Sequence, residues 1–186
     1  MKIESIRLKN FKAFREVEIK KIPKMCVFVG ANGTGKTTLF NVFSFLKDAL
    51  TDNVYMALTK LGGGRGFQEV RSRNSTGPIE IELKFRQDDN SSLITYYLKI
   101  NEEDGNPIIE KEILEYQESS KSQAWRFLDF SKGKGEAAID QPDRISDRTE
   151  LKWQKYEMKS PDILALKGLA QFEQFPASKA IGDLLE

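Results

Sequence analysis

The sequence predicts an α/β fold: a mixed sheet around a glycine loop, an antiparallel β-subdomain, and the start of a helical subdomain. Three observations lead there. The apolar run Met25-Cys26-Val27-Phe28-Val29 feeds the loop Gly30-Ala31-Asn32-Gly33-Thr34-Gly35-Lys36-Thr37-Thr38, and helical periodicity begins where that loop ends. Further along, the apolar period changes to two, the mark of strands with one wet face.

Residues 3–9 alternate Ile3, Ser5, Arg7 and Lys9 against Glu4, Ile6 and Leu8, and Asn10-Phe11-Lys12-Ala13-Phe14 turns the chain into Val17-Glu18-Ile19, so a hairpin is expected. After Pro23, residues 25–29 are apolar on both faces and favour β structure, which predicts a strand buried within a sheet covered on both sides. Cys26, the single cysteine, is expected to be a small buried residue of that strand. From Lys36 to about Leu50 the positions Leu39, Val42, Phe43, Leu46, Ala49 and Leu50 recur at helical spacing; Phe40 and Phe45 widen the face, predicting a helix packed on two sides. A second helix is expected over Val54 to Leu61, ended by Gly62-Gly63-Gly64-Arg65-Gly66.

Ile79, Ile81, Leu83 and Phe85 alternate with charged residues, and Ile94, Tyr96, Leu98 and Ile100 repeat the pattern, predicting two antiparallel strands. Further strands are expected near 108–116, 124–130 and 149–157. Ser160-Pro161-Asp162 offers an N-cap, a first-turn proline and an acid, so a helix should start there and turn Ile163, Leu166, Leu169 and Ala170 inward. Pro176 interrupts it, and Ala180-Ile181 and Leu184-Leu185 have helical spacing.

Composition narrows the chemistry. A chain of 186 residues suits one domain or part of one. It contains no histidine, which removes Ser/His/Asp and Cys/His nucleophile systems and most zinc sites. The formal net charge of +1 leaves any nucleic-acid contact local or supplied by other parts. No stretch approaches the roughly 18 apolar residues of a membrane span, and the alternating N-terminus lacks a secretory signal, so a cytoplasmic protein without membrane contact is expected.

Residues 30–37 match G-x-x-x-x-G-K-[ST], between an apolar run and an amphipathic helix. Glycines let the backbone fold tightly, so that successive amides and the helix N-terminus point at a phosphate. The residues expected to bind nucleotide are Gly30, Asn32, Gly33, Thr34, Gly35, Lys36, Thr37 and Thr38. In these roles Lys36 reaches the β- and γ-phosphates as the catalytic cation, Thr37 gives its hydroxyl to Mg²⁺, Thr38 meets the α-phosphate and Asn32 faces the γ-phosphate. ATP and Mg²⁺ are the expected ligands.

Ile3 to Phe14, then a strand, then Gly30 to Val42, resembles the opening of RecF, SMC and related ABC-type ATPase heads, with their "NF" turn and "GxNGxGKT" loop. Gly62 to Arg73 and Pro78 to Phe85 resemble the "GGF-E-R" stretch and strands of predicted bacterial RecF-like AAA-family ATPases. The resemblance implies a P-loop NTPase, ABC-ATPase-like lobe. It also implies that Asn10 to Phe14 lie beside the nucleotide, with Lys12 as a phosphate or base contact or else a solvated turn lysine. On this reading 1–186 is the N-terminal part of one head: 1–61 carries the hairpin, loop and first helices, 62–158 the strand-rich subdomain, and 159–186 the start of the helical subdomain.

Such heads hydrolyse ATP as dimers, using a Walker B acid pair and a partner's signature loop. Ala137-Ala138-Ile139-Asp140-Gln141-Pro142 and Ser131-Lys132-Gly133-Lys134-Gly135 imitate these only faintly, and a strand-turn-strand is the expected structure. Gln154 and Gln171 are both open as the Q-loop glutamine. Lys60, Arg65, Arg71 and Arg73 are read as a solvated loop in preference to a nucleic-acid patch, given Glu69 among them. The expected function is ATP binding and, with a C-terminal half and a second head, hydrolysis in DNA repair, chromosome maintenance or phage defence. A homodimer is implied, with DNA and a nuclease or other effector as further partners. A nucleotide-dependent assembly module without turnover is the alternative; a small-molecule phosphotransferase is a third.

Overall fold

The computed structural model describes residues 2–118, 122–139 and 152–169. β1 (Lys2–Phe11) and β2 (Phe14–Lys20) form the expected hairpin, with Phe11 opposite Phe14 at its turn. α1 (Lys36–Thr51) follows the glycine loop, and α2 (Val54–Gly62) is capped by Asn53, whose side chain accepts from the Met56 amide at 2.8 Å. A 3₁₀ turn over Gly63–Arg65 and the short α3 (Phe67–Val70) lead to β3 (Ile79–Arg86), β4 (Leu93–Glu103), β5 (Asn106–Gln117), β6 (Trp125–Ser131), β7 (Lys134–Ala138) and β8 (Trp153–Glu157). The last element is α4 (Ala165–Leu169).

The strands form one eight-stranded sheet in the order β2-β1-β3-β4-β5-β6-β7-β8, and each neighbouring pair is antiparallel. The segments 1–61 and 62–158 therefore share a sheet, because β1 pairs with β3. The period-two reading holds: Ile79, Ile81, Leu83, Phe85, Ile94, Tyr96, Leu98 and Ile100 are all buried. Their neighbours form a wet face laced with ion pairs, Arg7 to Glu16 at 3.1 Å, Lys9 to Glu80 at 3.3 Å and Lys99 to Glu110 at 2.6 Å. Lys132 and Gly133 at the β6–β7 turn have φ of 50° and 78°, the paired left-handed conformations of a tight hairpin, so Ser131 to Gly135 is turn and strand as expected.

The mixed sheet does not appear among the described residues, because residues 25–29 join no ladder. Met25, Val27 and Val29 are 84%, 74% and 91% exposed, and Cys26 is exposed too, so the expected buried strand and buried thiol are both corrected. A strand apolar on both faces is stable only with neighbours at its edges and cover above and below. The nearest strand in sequence, β2, is an edge of the sheet paired only with β1, and residues 25–29 do not add to its free side.

The core lies between the sheet's dry face and the helices. α1 contributes Leu39, Val42, Phe45, Leu46 and Ala49, with Phe45 tilted against Phe11 at 6.2 Å between rings, and α2 adds Val54, Ala57 and Leu58. α1 packs on the sheet through Phe45 and on α2 and α4 beside it, but the part of its apolar face that Phe40 widens is uncovered. Phe40 is 58% exposed and meets only the edge of the Phe28 ring within its neighbouring aromatics, at 6.2 Å, on the side where residues 25–29 lie uncovered.

The helix expected from Ser160 begins instead at Ala165, although Leu166 and Leu169 do point inward. The Ser160 hydroxyl is spent on the Asp162 carboxylate. The first α4 amides, of Ala165 and Leu166, donate to the buried Glu112 carboxylate at 2.6 and 3.1 Å, and the Tyr96 hydroxyl donates to it at 3.1 Å. The Glu112 carboxyl, carried in by β5, takes the first helical amides, and it sets the boundary. Lys167 donates to the carbonyls of Thr51 and Asp52, tying α4 to the end of α1. Residues 149–151, Asp140 to Pro142, Ala170, Gln171, Pro176 and the pattern over Ala180 to Leu185 lie outside the described residues; Gln154 lies on β8, exposed.

Candidate functional site

The glycine loop sits at the N-terminus of α1, where its backbone takes conformations that side chains resist. Gly33 has φ 85° and Gly35 has φ 95°. A Cβ on Gly35 would stand 2.8 Å from two ring atoms of Phe14, so the hairpin's second aromatic presses directly on the loop. The Thr34 hydroxyl donates to the Ala31 carbonyl at 2.9 Å and closes the loop.

α1 starts with no side-chain cap and no acidic residue in its first turn. The first amides of such a helix have no intrahelical acceptor and carry the positive end of its dipole, which favours an anion there. The Lys36 ammonium folds back over the loop, donating to the carbonyls of Gly30 and Ala31, each at 2.6 Å. Gly30, Asn32, Gly33, Thr34 and Thr37 are exposed, Gly35 and Lys36 are half-buried, and Thr38 is buried at the helix start.

Thr38 also belongs to the wall of an open cleft of about 490 Å³ that Lys12, Arg15, Glu69, Arg71 and Arg73 line as well. The structure thus brings Lys12 to the loop from the other end of the hairpin turn. Lys12 is at φ 48°, its amide donates to the Val70 carbonyl at 2.6 Å, and its ammonium donates to the Leu61 carbonyl at 3.2 Å. Asn10, at φ 55°, is buried: its amide nitrogen donates to the Pro78 carbonyl at 2.9 Å and its oxygen accepts from the Ser75 hydroxyl at 2.7 Å.

The four basic residues do not gather into one patch. Lys60 is held by Asp48 and Asp52 at 2.9 and 2.8 Å, and these hydrogen bonds keep its ammonium above its ordinary range. Arg71 lies over the Phe67 ring at 5.2 Å and donates to the Gln68 side chain at 2.6 Å. Only Arg71 and Arg73 of the set reach the cleft, joined there by Arg15. Sequence reasoning missed Arg15, the contact of Phe14 with Gly35, and Ser72. The aromatic of the turn was a usable signal; a single serine sixty residues from the turn gave none.

A larger hollow of about 590 Å³ lies at the opposite end of the sheet, among Asp129, Lys134, Glu136, Lys155 and Glu157, where charges of both signs are mixed. Among the described residues no cluster of three or more His, Cys, Asp or Glu is placed to hold a metal ion, and no helix is long and apolar enough to cross a membrane.

Residues 1–165 match the AAA ATPase domain family. The chain is 28% identical over 109 residues to the DNA double-strand break repair Rad50 ATPase of Pyrococcus abyssi, covering 55% of this chain and 12% of that protein. It is 32% identical over 89 residues to the DNA replication and repair protein RecF of Lactococcus lactis subsp. lactis, covering 45% of this chain and 24% of the relative. To the RecF of Lactobacillus johnsonii it is 28% identical over 86 residues, 46% of this chain and 23% of the relative. The matched part spans a quarter or less of each relative's length. The resemblance to the N-terminal part of RecF/SMC-type ATPases is borne out, and the chain belongs to the AAA ATPase domain family.

Proposed function

We propose that the loop from Gly30 to Thr38 is a Walker A phosphate loop of a P-loop NTPase fold and binds ATP with Mg²⁺. The observation that carries this reading is the uncapped start of α1, preceded by two left-handed glycines and covered by the Lys36 ammonium. On binding, Lys36 exchanges the Gly30 and Ala31 carbonyls for β- and γ-phosphate oxygens, and the amides of residues 33–38 cradle the β-phosphate. Mg²⁺, which offsets phosphate charge, would be held by the Thr37 hydroxyl together with phosphate oxygens. Because Thr38 is shared between loop and cleft, the nucleoside lies toward Lys12, and Arg15 and Arg73 add to the positive field around it.

Turnover is proposed for the whole protein, cytoplasmic and dimeric, acting on DNA in repair, chromosome maintenance or phage defence, with a nuclease or other effector as partner. The family and the repair proteins it resembles support that reading. The uncovered apolar run 25–29 beside the loop favours a second one, in which ATP orders an interface without turnover in this chain. Calorimetric titration of MgATP tests the site itself: Lys36→Ala should abolish binding, and unchanged affinity would overturn the assignment. Phosphate release measured on this chain alone, and on the dimeric protein with its C-terminal half, separates the two readings. Release only in the latter supports the ATPase, and release in neither supports the assembly module.

A further inference from the structure

We infer that Ser72 is a positioning residue for the phosphate loop, its buried hydroxyl holding the Lys12–Phe14 turn so that the Phe14 ring braces Gly35. This inference rests on the nucleotide-binding reading of the loop. Ser72 is 4% exposed, and its Oγ stands 2.8 Å from the carbonyl oxygens of both Lys12 and Phe14, so its proton serves either end of the turn. Its amide donates to the Asn10 carbonyl at 3.1 Å, and two residues earlier the Val70 carbonyl receives the Lys12 amide at 2.6 Å. Phe11 and Arg71 form a bridge between these bonds. The strand of chain 70–72 thus clamps the whole turn.

The turn needs a clamp. Asn10 and Lys12 sit at φ 55° and 48°, left-handed conformations that are strained for an L-residue and persist only when the surroundings enforce them. Without the Ser72 proton, whichever of the two part-buried carbonyls it serves loses that donor, and the turn is free to relax toward ordinary φ. The residue at its far end is Phe14, whose ring lies so close to Gly35 that no Cβ fits between them. Gly35 is the residue from which α1 springs, so its backbone sets where the first amides of the helix point. A small change at Ser72 is therefore delivered to the anion-binding amides through one rigid aromatic ring.

The experiment measures affinity for MgATP and for inorganic tripolyphosphate, which has no nucleoside and reports on the loop alone. Ser72→Ala should weaken both by about five- to tenfold, while circular dichroism shows the chain folded at the assay temperature. Phe14→Leu should do the same, and Ser72→Ala/Phe14→Leu should be no weaker than the poorer single variant, since both act on one contact. Ser72→Thr, which keeps the hydroxyl, should recover affinity toward the parent. Should Ser72→Ala unfold, Ser72→Cys, nearly isosteric with a far weaker donor, takes its place in the same comparison. Parent-like affinity in the serine variants, or losses that multiply in the double variant, would overturn the inference. Lys36→Ala runs alongside: if it binds MgATP like the parent, the reading of the loop falls; if it abolishes binding while Ser72→Ala does not weaken it, only the role of Ser72 falls.

Discussion

Replacing Glu112 by Gln should remove most of the pH dependence of folding stability between about pH 5 and pH 8. The Glu112 carboxyl has no exposure; burial pushes it up to about 7, opposed by the hydrogen bonds from Leu166, Ala165 and Tyr96, which favour the ionised form. In the unfolded chain it titrates near its ordinary 4.5, so the native state holds the proton more tightly. The stabilisation is therefore complete below the unfolded value and is lost as pH rises through about 7, a decline of about 2–3 kcal/mol from about pH 5 to pH 8. The chain contains no histidine, and the difference in slope between parent and Glu112→Gln isolates this one group. Urea midpoints at the two pH values give the measurement for parent and Glu112→Gln. Glutamine stays neutral, and its amide meets the Ala165 or Leu166 N–H badly, so the variant should be less stable than the parent at the lower pH by about 1–3 kcal/mol and converge on it at the higher. A parent whose stability is flat across this range, or a variant with the parent's slope, would refute the reasoning: the three donors would then outweigh burial and keep Glu112 ionised throughout.

Two further outcomes follow from geometry. Gly35→Ala, at φ 95° and with its Cβ 2.8 Å from the Phe14 ring, should lower MgATP affinity at least about tenfold by calorimetry, whereas Gly33→Ala, whose Cβ meets nothing within 4 Å, carries only the backbone strain of about 1–2 kcal/mol and should lose less. Asn10→Ala removes a buried side chain that satisfies the Pro78 carbonyl and the Ser75 hydroxyl, and should lower the free energy of unfolding by about 2–3 kcal/mol in urea titration.

The loop was readable from sequence because its requirements are local. Glycines at 33 and 35, a lysine at 36 and a helix opening at once are all fixed within ten residues, and the left-handed φ values follow from the glycines. The alternating strands were equally legible, since a period of two with one apolar set fixes which face is buried before any partner strand is known. Sequence went astray where a local pattern presupposes something outside itself. Residues 25–29 have every property of a central strand, yet a strand exists only in a ladder, and they pair neither with the free edge of β2 nor with any other described strand. Ser160 has the chemistry of a helix cap, but the acceptor came from Glu112, about fifty residues earlier, brought to α4 by β5.

The sequence by itself determined the glycine loop with its lysine, the hairpin before it, the helices after it and the dry face of the sheet, because each depends on residues that are neighbours along the chain. Only the tertiary structure decided that Ser72 clamps the turn, that Phe14 braces Gly35 and that Lys12 shares a cleft with Thr38. These are contacts between segments far apart in sequence, and no local propensity encodes a distance that is set by how a sheet and its helices pack.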